Sequence, residues 1–183
     1  MRIASTRFGT IQVEPEHLIE FPEGIIGFSK IKTYILLEEK SSVFLWLQAV
    51  SKPDVAFPIL EPEIFHSNYR VGIHEEDLES LKIDTADHLK VITIVTIPPD
   101  ITQITANLRA PIFINLKEKI GRQIILEDEK HPIRYSIFES LNHYINSLNK
   151  QLFCDDKKSN YSPMMIEENL RPPQEIHASD QSK

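Results

Sequence analysis

The sequence predicts a mostly β fold, an antiparallel barrel or sandwich with a short helix and an added C-terminal helix. Short apolar runs rich in β-branched residues recur up to about residue 126, with proline or glycine between them. No long helical pattern interrupts these runs. After residue 136, apolar residues recur at helical spacing. The chain of 183 residues is most simply one domain with an appendage.

The clearest strands are predicted between residues 91 and 116. Val91 to Ile97 is almost wholly β-branched and ends at Pro98-Pro99, and a second run extends from Ile112 to Leu116. Two such runs separated by proline predict neighbouring strands in a β core. The segment between them holds no nucleophile–base pair and no metal-ligand spacing, which favours a binding protein over an enzyme.

The other elements follow from the same signals. Pro22 to Gly27 holds two glycines behind a proline, which predicts an irregular loop with positive φ angles. Trp46 lies on a strongly apolar run and is predicted to be buried, where its indole N–H needs a partner. Glu75 to Leu81 predicts a short helix with acidic residues near its start. Further strands are predicted at Ile3–Thr6, Thr10–Val13, Leu18–Phe21, Tyr34–Leu37, Val43–Val50, Ala56–Leu60, Tyr69–Ile73 and Gly121–Leu126.

The pattern divides the chain into three parts: a β domain over residues 1–135, an amphipathic helix over 136–152 and a disordered polar tail over 153–183. Ser136 with Glu139 has the spacing of a capping box, which places the helix start there. The apolar stripe of the helix either packs on the β domain or serves as a docking helix for a partner.

Composition limits the possible partners. The net charge of −7 makes the chain a poor direct binder of nucleic acid, which is held chiefly by Lys and Arg. An acidic surface suits a basic protein partner, although the charge also keeps a protein soluble. The single cysteine excludes an intramolecular disulfide and a cysteine-based zinc site. No signal-peptide pattern and no apolar stretch of membrane-spanning length is present, so we expect a cytoplasmic protein with no membrane association, no metal and no cofactor.

Several motifs, taken together and in order, resemble the flagellar assembly factor FliW family from about residue 2 to about residue 135. The resemblance implies a small antiparallel β-barrel-like domain without catalytic activity. It also implies two cytoplasmic partners: the RNA-binding translational regulator CsrA, whose repression of flagellin synthesis would be relieved, and flagellin, which would exchange with CsrA in a partner switch. The C-terminal helix and tail look longer than in typical family members. The motifs are Thr6–Gly9, Phe21–Phe28, Phe44–Gln48, Pro53–Phe57, Val95–Pro98 and Thr105–Asn115.

Two groups of residues are the main candidates for partner contact. Glu61, Glu63, Phe65 and Tyr69 combine acidic and aromatic side chains in one loop after a strand, as protein interfaces often do. Asn107 and Arg109 lie in a dense loop between two strands. For each group there is a structural alternative: Phe65 tucked into the core, and Asn107 bonded to local backbone. With Asp54, the candidate partner-binding residues are Asp54, Glu61, Glu63, Phe65, Asn107 and Arg109.

Two rival functions are compatible with the same sequence. One is a flagellin-binding chaperone that binds little CsrA. The other is an OB-like barrel that binds single-stranded nucleic acid, which requires a basic groove with exposed aromatic residues. No feature of the sequence supports a hydrolase.

Overall fold

The computed structural model describes residues 1–39, 42–83 and 88–155, the last five in their backbone alone. Within them, seven strands close into a barrel, as the resemblance implies. Neighbours around the ring pair antiparallel, except for a parallel contact between the third and tenth strands at Glu20 and Ile120. In ring order the strands are β3 (Leu18–Glu20), β4 (Thr33–Glu38), β5 (Leu45–Ala49), β6 (Ala56–Leu60), β7 (Leu89–Thr96), β9 (Ile112–Asn115) and β10 (Ile120–Gln123).

Alternating side chains of these strands fill the barrel. Ile92 and Ile112, from the two clearest runs of the sequence, face each other across the β7–β9 pair and are fully buried. Phe21 packs edge-on against Tyr34 at a centroid distance of 5.1 Å. Gly121 of β10 is required there, because a Cβ would lie 2.4 Å from Cζ of Phe21.

A hairpin of β1 (Arg2–Ser5) and β2 (Gly9–Gln12) forms a separate two-stranded sheet. The Ser5 hydroxyl donates to Oε1 of the buried Gln48 at 2.7 Å, which ties the hairpin to β5. Trp46 is buried, as predicted. Its indole N–H donates to Glu39 at 3.1 Å, and the guanidinium of Arg7 lies 3.9 Å from its ring centroid.

A second core lies outside the barrel. Two short strands, β8 (Thr105–Ala106) and β11 (Tyr135–Ser136), extend the sheet from the end of β7. Helix α2 (Phe138–Asp155) follows. Ile137 just before it and Leu141 and Ile145 on it are buried in a cluster with side chains of the sheet. The predicted stripe therefore packs on the β domain.

Helix α2 starts two residues later and ends three residues later than the predicted span of 136–152. The proposed capping box is wrong, because Ser136 pairs with Thr105 in a strand and is not the residue before the helix. The predicted tail lies outside the described residues from 156 onward.

Helix α1 (Glu75–Ser80) matches the predicted short helix. Arg122 of β10 holds it through an ion pair with Asp77 at 3.3 Å and also pairs with Glu23 at 3.1 Å. The glycines of the 22–27 loop have the predicted positive φ, +75° at Gly24 and +84° at Gly27. The strand predicted at Tyr69–Ile73 is wrong, since this segment joins no sheet of the described chain.

Candidate protein-binding groove

Glu61 and Glu63 lie where the chain leaves β6. Pro62 between them begins a short 3-10 turn over Pro62–Ile64, and proline suits the first position of such a turn because it has no N–H to leave unpaired. The Glu61 carboxylate forms an ion pair with Nζ of Lys90 on β7. Glu63 lies 3.6 Å from the guanidinium of Arg70, and both of these side chains are largely exposed.

These four charged side chains line a groove of about 520 Å³ between the turn, the segment after it and β7. The remaining lining is mostly apolar and comes from the segment Tyr69–Ile73, from the first residues of β7, and from β9 and its end. We call this cavity the β7 groove. Its apolar residues include Val71, Ile73, Leu89, Val91, Phe113 and Leu116.

Phe65 does not lie on the groove surface. Its side chain is 4% exposed and belongs to the second core, with Leu108 and Leu141 in the same cluster. Its ring centroid is 6.1 Å from that of Tyr135. The structural alternative for this residue is therefore observed: Phe65 anchors the turn that carries the two glutamates.

Asn107 and Arg109 lie together, and both bond to the fold itself. Oδ1 of Asn107 accepts hydrogen bonds from the backbone N–H groups of Arg109 and Ala110, each at 3.1 Å. The Arg109 guanidinium donates to the carbonyl oxygens of His131 at 3.2 Å and Leu126 at 3.3 Å. These contacts hold the loop against its neighbour, which is the structural alternative weighed for Asn107.

Asp54 is remote from Glu61 along the barrel. It lies in the exposed turn between β5 and β6, in which Val55 N–H donates to Lys52 at 3.1 Å. Because Asp54 precedes β6 and Glu61 follows it, the two carboxylates stand at opposite ends of that strand. Of the six candidates, only Glu61 and Glu63 line the β7 groove.

Tyr69, which the sequence places in the same acidic and aromatic loop but not among the six candidates, joins the groove to the Asn107 loop. Its hydroxyl donates to the carbonyl of Leu108 at 2.8 Å, and its ring meets that of His131 edge-on at 5.0 Å. Burial raises the pKa of the Tyr69 phenol, and the negative charge of Asp128 raises it further. The hydroxyl therefore remains a donor at neutral pH.

The two cations of the groove were missed from the sequence. Lys90 immediately precedes the run that begins at Val91, and Arg70 belongs to the segment that was predicted as a strand. Whether these cations form ion pairs with Glu61 and Glu63 depends on which parts of the chain the barrel brings together. No sequence pattern pairs residues that stand 29 positions apart, as Glu61 and Lys90 do.

The described residues offer neither a metal site nor a helix that could span a membrane. In the part of the chain whose side chains the structure describes, no group of three or more His, Cys, Asp or Glu is placed to hold a metal ion. Neither helix of this part of the chain has the length and apolar character needed to cross a membrane.

Comparison with known proteins identifies the family. The sequence model of the family described as FliW protein matches residues 2–137. The flagellar assembly factor FliW of Bdellovibrio bacteriovorus is 39% identical over 142 residues, which cover 77% of this chain and 81% of that protein. That of Thermoanaerobacter pseudethanolicus is 39% identical over 150 residues, which cover 80% of this chain and all of that protein.

A solved structure shares the fold. The crystal structure of a flagellar assembly factor FliW superposes with a TM-score of 0.72 at 30% sequence identity, and the match covers 75% of this chain and 97% of that one. The family match ends at residue 137, so the whole of α2 follows the matched region. From residue 2 to residue 137, this chain is a member of the FliW family of flagellar assembly factors.

Proposed function

We propose that this protein acts in the cytoplasm as a stoichiometric antagonist of CsrA, relieves repression of flagellin synthesis, and exchanges CsrA for flagellin in a partner switch. The observation that carries the proposal is the family match over residues 2–137. The function consists of holding other proteins and includes no chemical step.

The lining of the β7 groove favours a protein as the binding partner. It combines an apolar floor with charged side chains at its margin, which is the anatomy of protein interfaces. Its volume of about 520 Å³ accepts a few side chains of a partner. A small number of buried anchors carries most of the binding energy in such interfaces.

Antagonism by sequestration sets a requirement on affinity. A dissociation constant of about 1 μM corresponds to about −8.2 kcal/mol, and useful capture needs that value or a tighter one. If flagellin and CsrA bind with negative coupling, each must weaken the other by the same factor. The partner switch is therefore measurable from either side.

Calorimetric titration of purified CsrA into this protein tests the proposal. We expect a saturable complex at micromolar concentration or below, and a weaker apparent affinity for CsrA in the presence of excess flagellin. The absence of any complex with CsrA at tens of micromolar would contradict the antagonist function. A tight flagellin complex in that same case would identify the rival function, a flagellin chaperone with little CsrA binding.

The OB-like nucleic-acid barrel is disfavoured by the charges of the groove. Single-stranded nucleic acid requires a positively charged channel along its phosphates. Lys90 and Arg70 are each paired with a glutamate, so the four charges of the β7 groove cancel. The net charge of −7 also disfavours binding of nucleic acid.

A further inference from the structure

One edge of β7 is paired with β9, and the direction of its backbone groups follows from the register. Leu116 N–H donates to the carbonyl of His88 at 2.9 Å, so His88 directs its backbone groups toward β9. In an antiparallel pair this direction alternates along the strand. Lys90 and Ile92 therefore also bond to β9, and Leu89 and Val91 direct their N–H and C=O groups to the opposite edge.

At that opposite edge β7 loses its neighbour. β6 pairs Ile59 with Ile94 and Leu60 with Thr93, and this register would place Pro62 opposite Val91. Proline has no N–H to donate, and the chain turns away at Pro62 into the 3-10 turn. Among the described residues, the backbone N–H and C=O of Val91 find no hydrogen-bond partner.

Another part of the groove lining also has unpaired backbone N–H and C=O groups. Arg70, Val71 and Ile73 form this part, and the backbone groups of Arg70–Ile73 make no backbone hydrogen bond within the described ranges. The sequence of this segment predicts a strand, yet it joins no sheet there. Two stretches of unpaired backbone thus border one groove. Unpaired backbone donors and acceptors at the edge of a strand are a template for another strand.

We propose that the β7 groove receives an extended segment of the partner protein, which pairs main chain to main chain with Leu89 and Val91. This proposal rests on the proposed function, since the segment belongs to a protein that the factor captures. The backbone edge specifies an extended chain, because a helix has satisfied its own N–H and C=O groups.

The groove also specifies the side chains of that segment. In an added strand, every second side chain points to the same face. Those on the groove side meet Val91 and Phe113, so they are apolar. The paired charges Glu61–Lys90 and Glu63–Arg70 stand at the margin and suit polar residues at the flanks of the segment. The occupant is therefore an extended segment with alternating apolar side chains.

Amide hydrogen exchange of the free protein, and of its complexes with purified CsrA and with purified flagellin, tests this mode of binding. In the free protein we expect fast exchange at Leu89 and Val91 and slow exchange at Lys90 and Ile92, which bond to β9. In the complex that uses the groove, exchange at Leu89 and Val91 should slow by about tenfold or more. Lys90 and Ile92 are the internal control, because they are protected in both states.

The outcomes separate the two proposals. A complex with either protein in which Leu89 and Val91 gain protection supports strand addition. Complexes that leave both amides unprotected would overturn strand addition and leave the proposed function intact. If neither protein forms a complex, both the proposed function and strand addition are overturned. Protection in the free protein, together with a dimeric mass by light scattering, would assign the edge to a second copy and overturn the partner assignment.

A backbone substitution gives a second test. Val91→Pro removes an N–H that β9 does not use, so the barrel should still fold, whereas partner affinity should fall by about tenfold. Val91→Thr is the matched control, because it changes the side chain and keeps the N–H. Equal affinity of the Val91→Pro and Val91→Thr variants would contradict strand addition. If Val91→Pro fails to fold, the exchange measurement on the natural chain decides.

Discussion

Two turns of this protein have the same local sequence and different surroundings. Glu14–Glu16 and Glu61–Glu63 are both Glu-Pro-Glu, and in both a 3-10 turn begins at the proline after an extended glutamate. The first turn leaves all three residues exposed. In the second, Pro62 is buried and the glutamates face Lys90 and Arg70 across a groove.

The contrast separates what local sequence determines from what the tertiary fold adds. Proline sets the backbone of both turns, because its ring restricts φ and it lacks an N–H. The second turn differs because it ends β6 beside a strand that continues past it. The same tripeptide is a solvated connection at one place and the margin of the β7 groove at the other. The two turns are therefore natural controls for each other.

The largest expected effect comes from removing the core beneath the second turn. Leu141 of α2 is 1% exposed and lies in the same cluster as Phe65, which follows that turn. Leu141→Ala should lower the free energy of unfolding by about 2–5 kcal/mol, measured by urea denaturation. His143→Ala, at an exposed position of the same helix, should change it by less than about 0.5 kcal/mol.

Equal stability of the Leu141→Ala variant and the natural chain would mean that α2 does not support the turn. The helix would then be an appendage to the family domain, and the second turn would be as independent as the first.

A smaller loss should follow from Asn107→Ala, which tests whether the fold or a partner uses this residue. The substitution leaves the N–H groups of Arg109 and Ala110 without their acceptor and should lower the free energy of unfolding by about 1–3 kcal/mol. Asn107→Asp keeps an oxygen at that position and should retain most of the stability. Chemical denaturation measures both variants.

Binding measurements on the same Asn107 variants complete the test. At a temperature where the Asn107→Ala protein is folded, its affinity for CsrA should match that of the natural chain. A large loss of affinity without loss of stability would show that Asn107 contacts the partner.

Tyr69→Phe should have a still smaller effect. It deletes the hydroxyl that bonds Leu108, and so the link between the groove segment and the Asn107 loop, with an expected loss of about 1 kcal/mol. Tyr144→Phe on α2 is the matched control, since its hydroxyl makes no hydrogen bond within the described part of the chain. Thermal and urea unfolding should give a lower free energy of unfolding for Tyr69→Phe than for Tyr144→Phe. Equal values would show that the Tyr69–Leu108 hydrogen bond contributes nothing to stability.

Much of the barrel could be predicted from the sequence because its strands carry local signals. Val91–Ile97 and Ile112–Leu116 are β-branched runs with proline between them, and they pair as neighbours in the structure. The irregular 22–27 loop followed from its glycines, whose positive φ angles are observed. Each of these features is decided within a few residues, which is the range over which sequence patterns act.

The errors arose where a distant residue decides the outcome. Tyr69–Ile73 has the composition of a strand, but the strand that would pair with it is absent from its edge in the described structure. Ser136 has the spacing of a helix cap, yet it pairs with Thr105 of β8 as part of a strand. The parallel contact of Glu20 with Ile120 joins strands a hundred residues apart, beyond the reach of any local pattern.

The candidate site was predictable only in part, for the same reason. The acidic residues at 61 and 63 stand out in the sequence, and they do line the groove. The burial of Phe65 and the cations opposite the glutamates depend on which elements the barrel brings together. Asn107 and Arg109 stood out for their polar character between two strands, and their polar groups bond to the backbone of neighbouring loops.

The most direct test of the account is the rate at which CsrA associates with two charge-reversed variants. Glu61→Lys with Glu63→Lys and Glu14→Lys with Glu16→Lys each change the net charge by four, from −7 to −3. If the β7 groove receives CsrA, the groove variant should associate about tenfold more slowly at low salt with a flatter salt dependence, while the Glu14/Glu16 variant should stay near the natural rate. Equal rates for the two variants would contradict the claim that the groove receives CsrA.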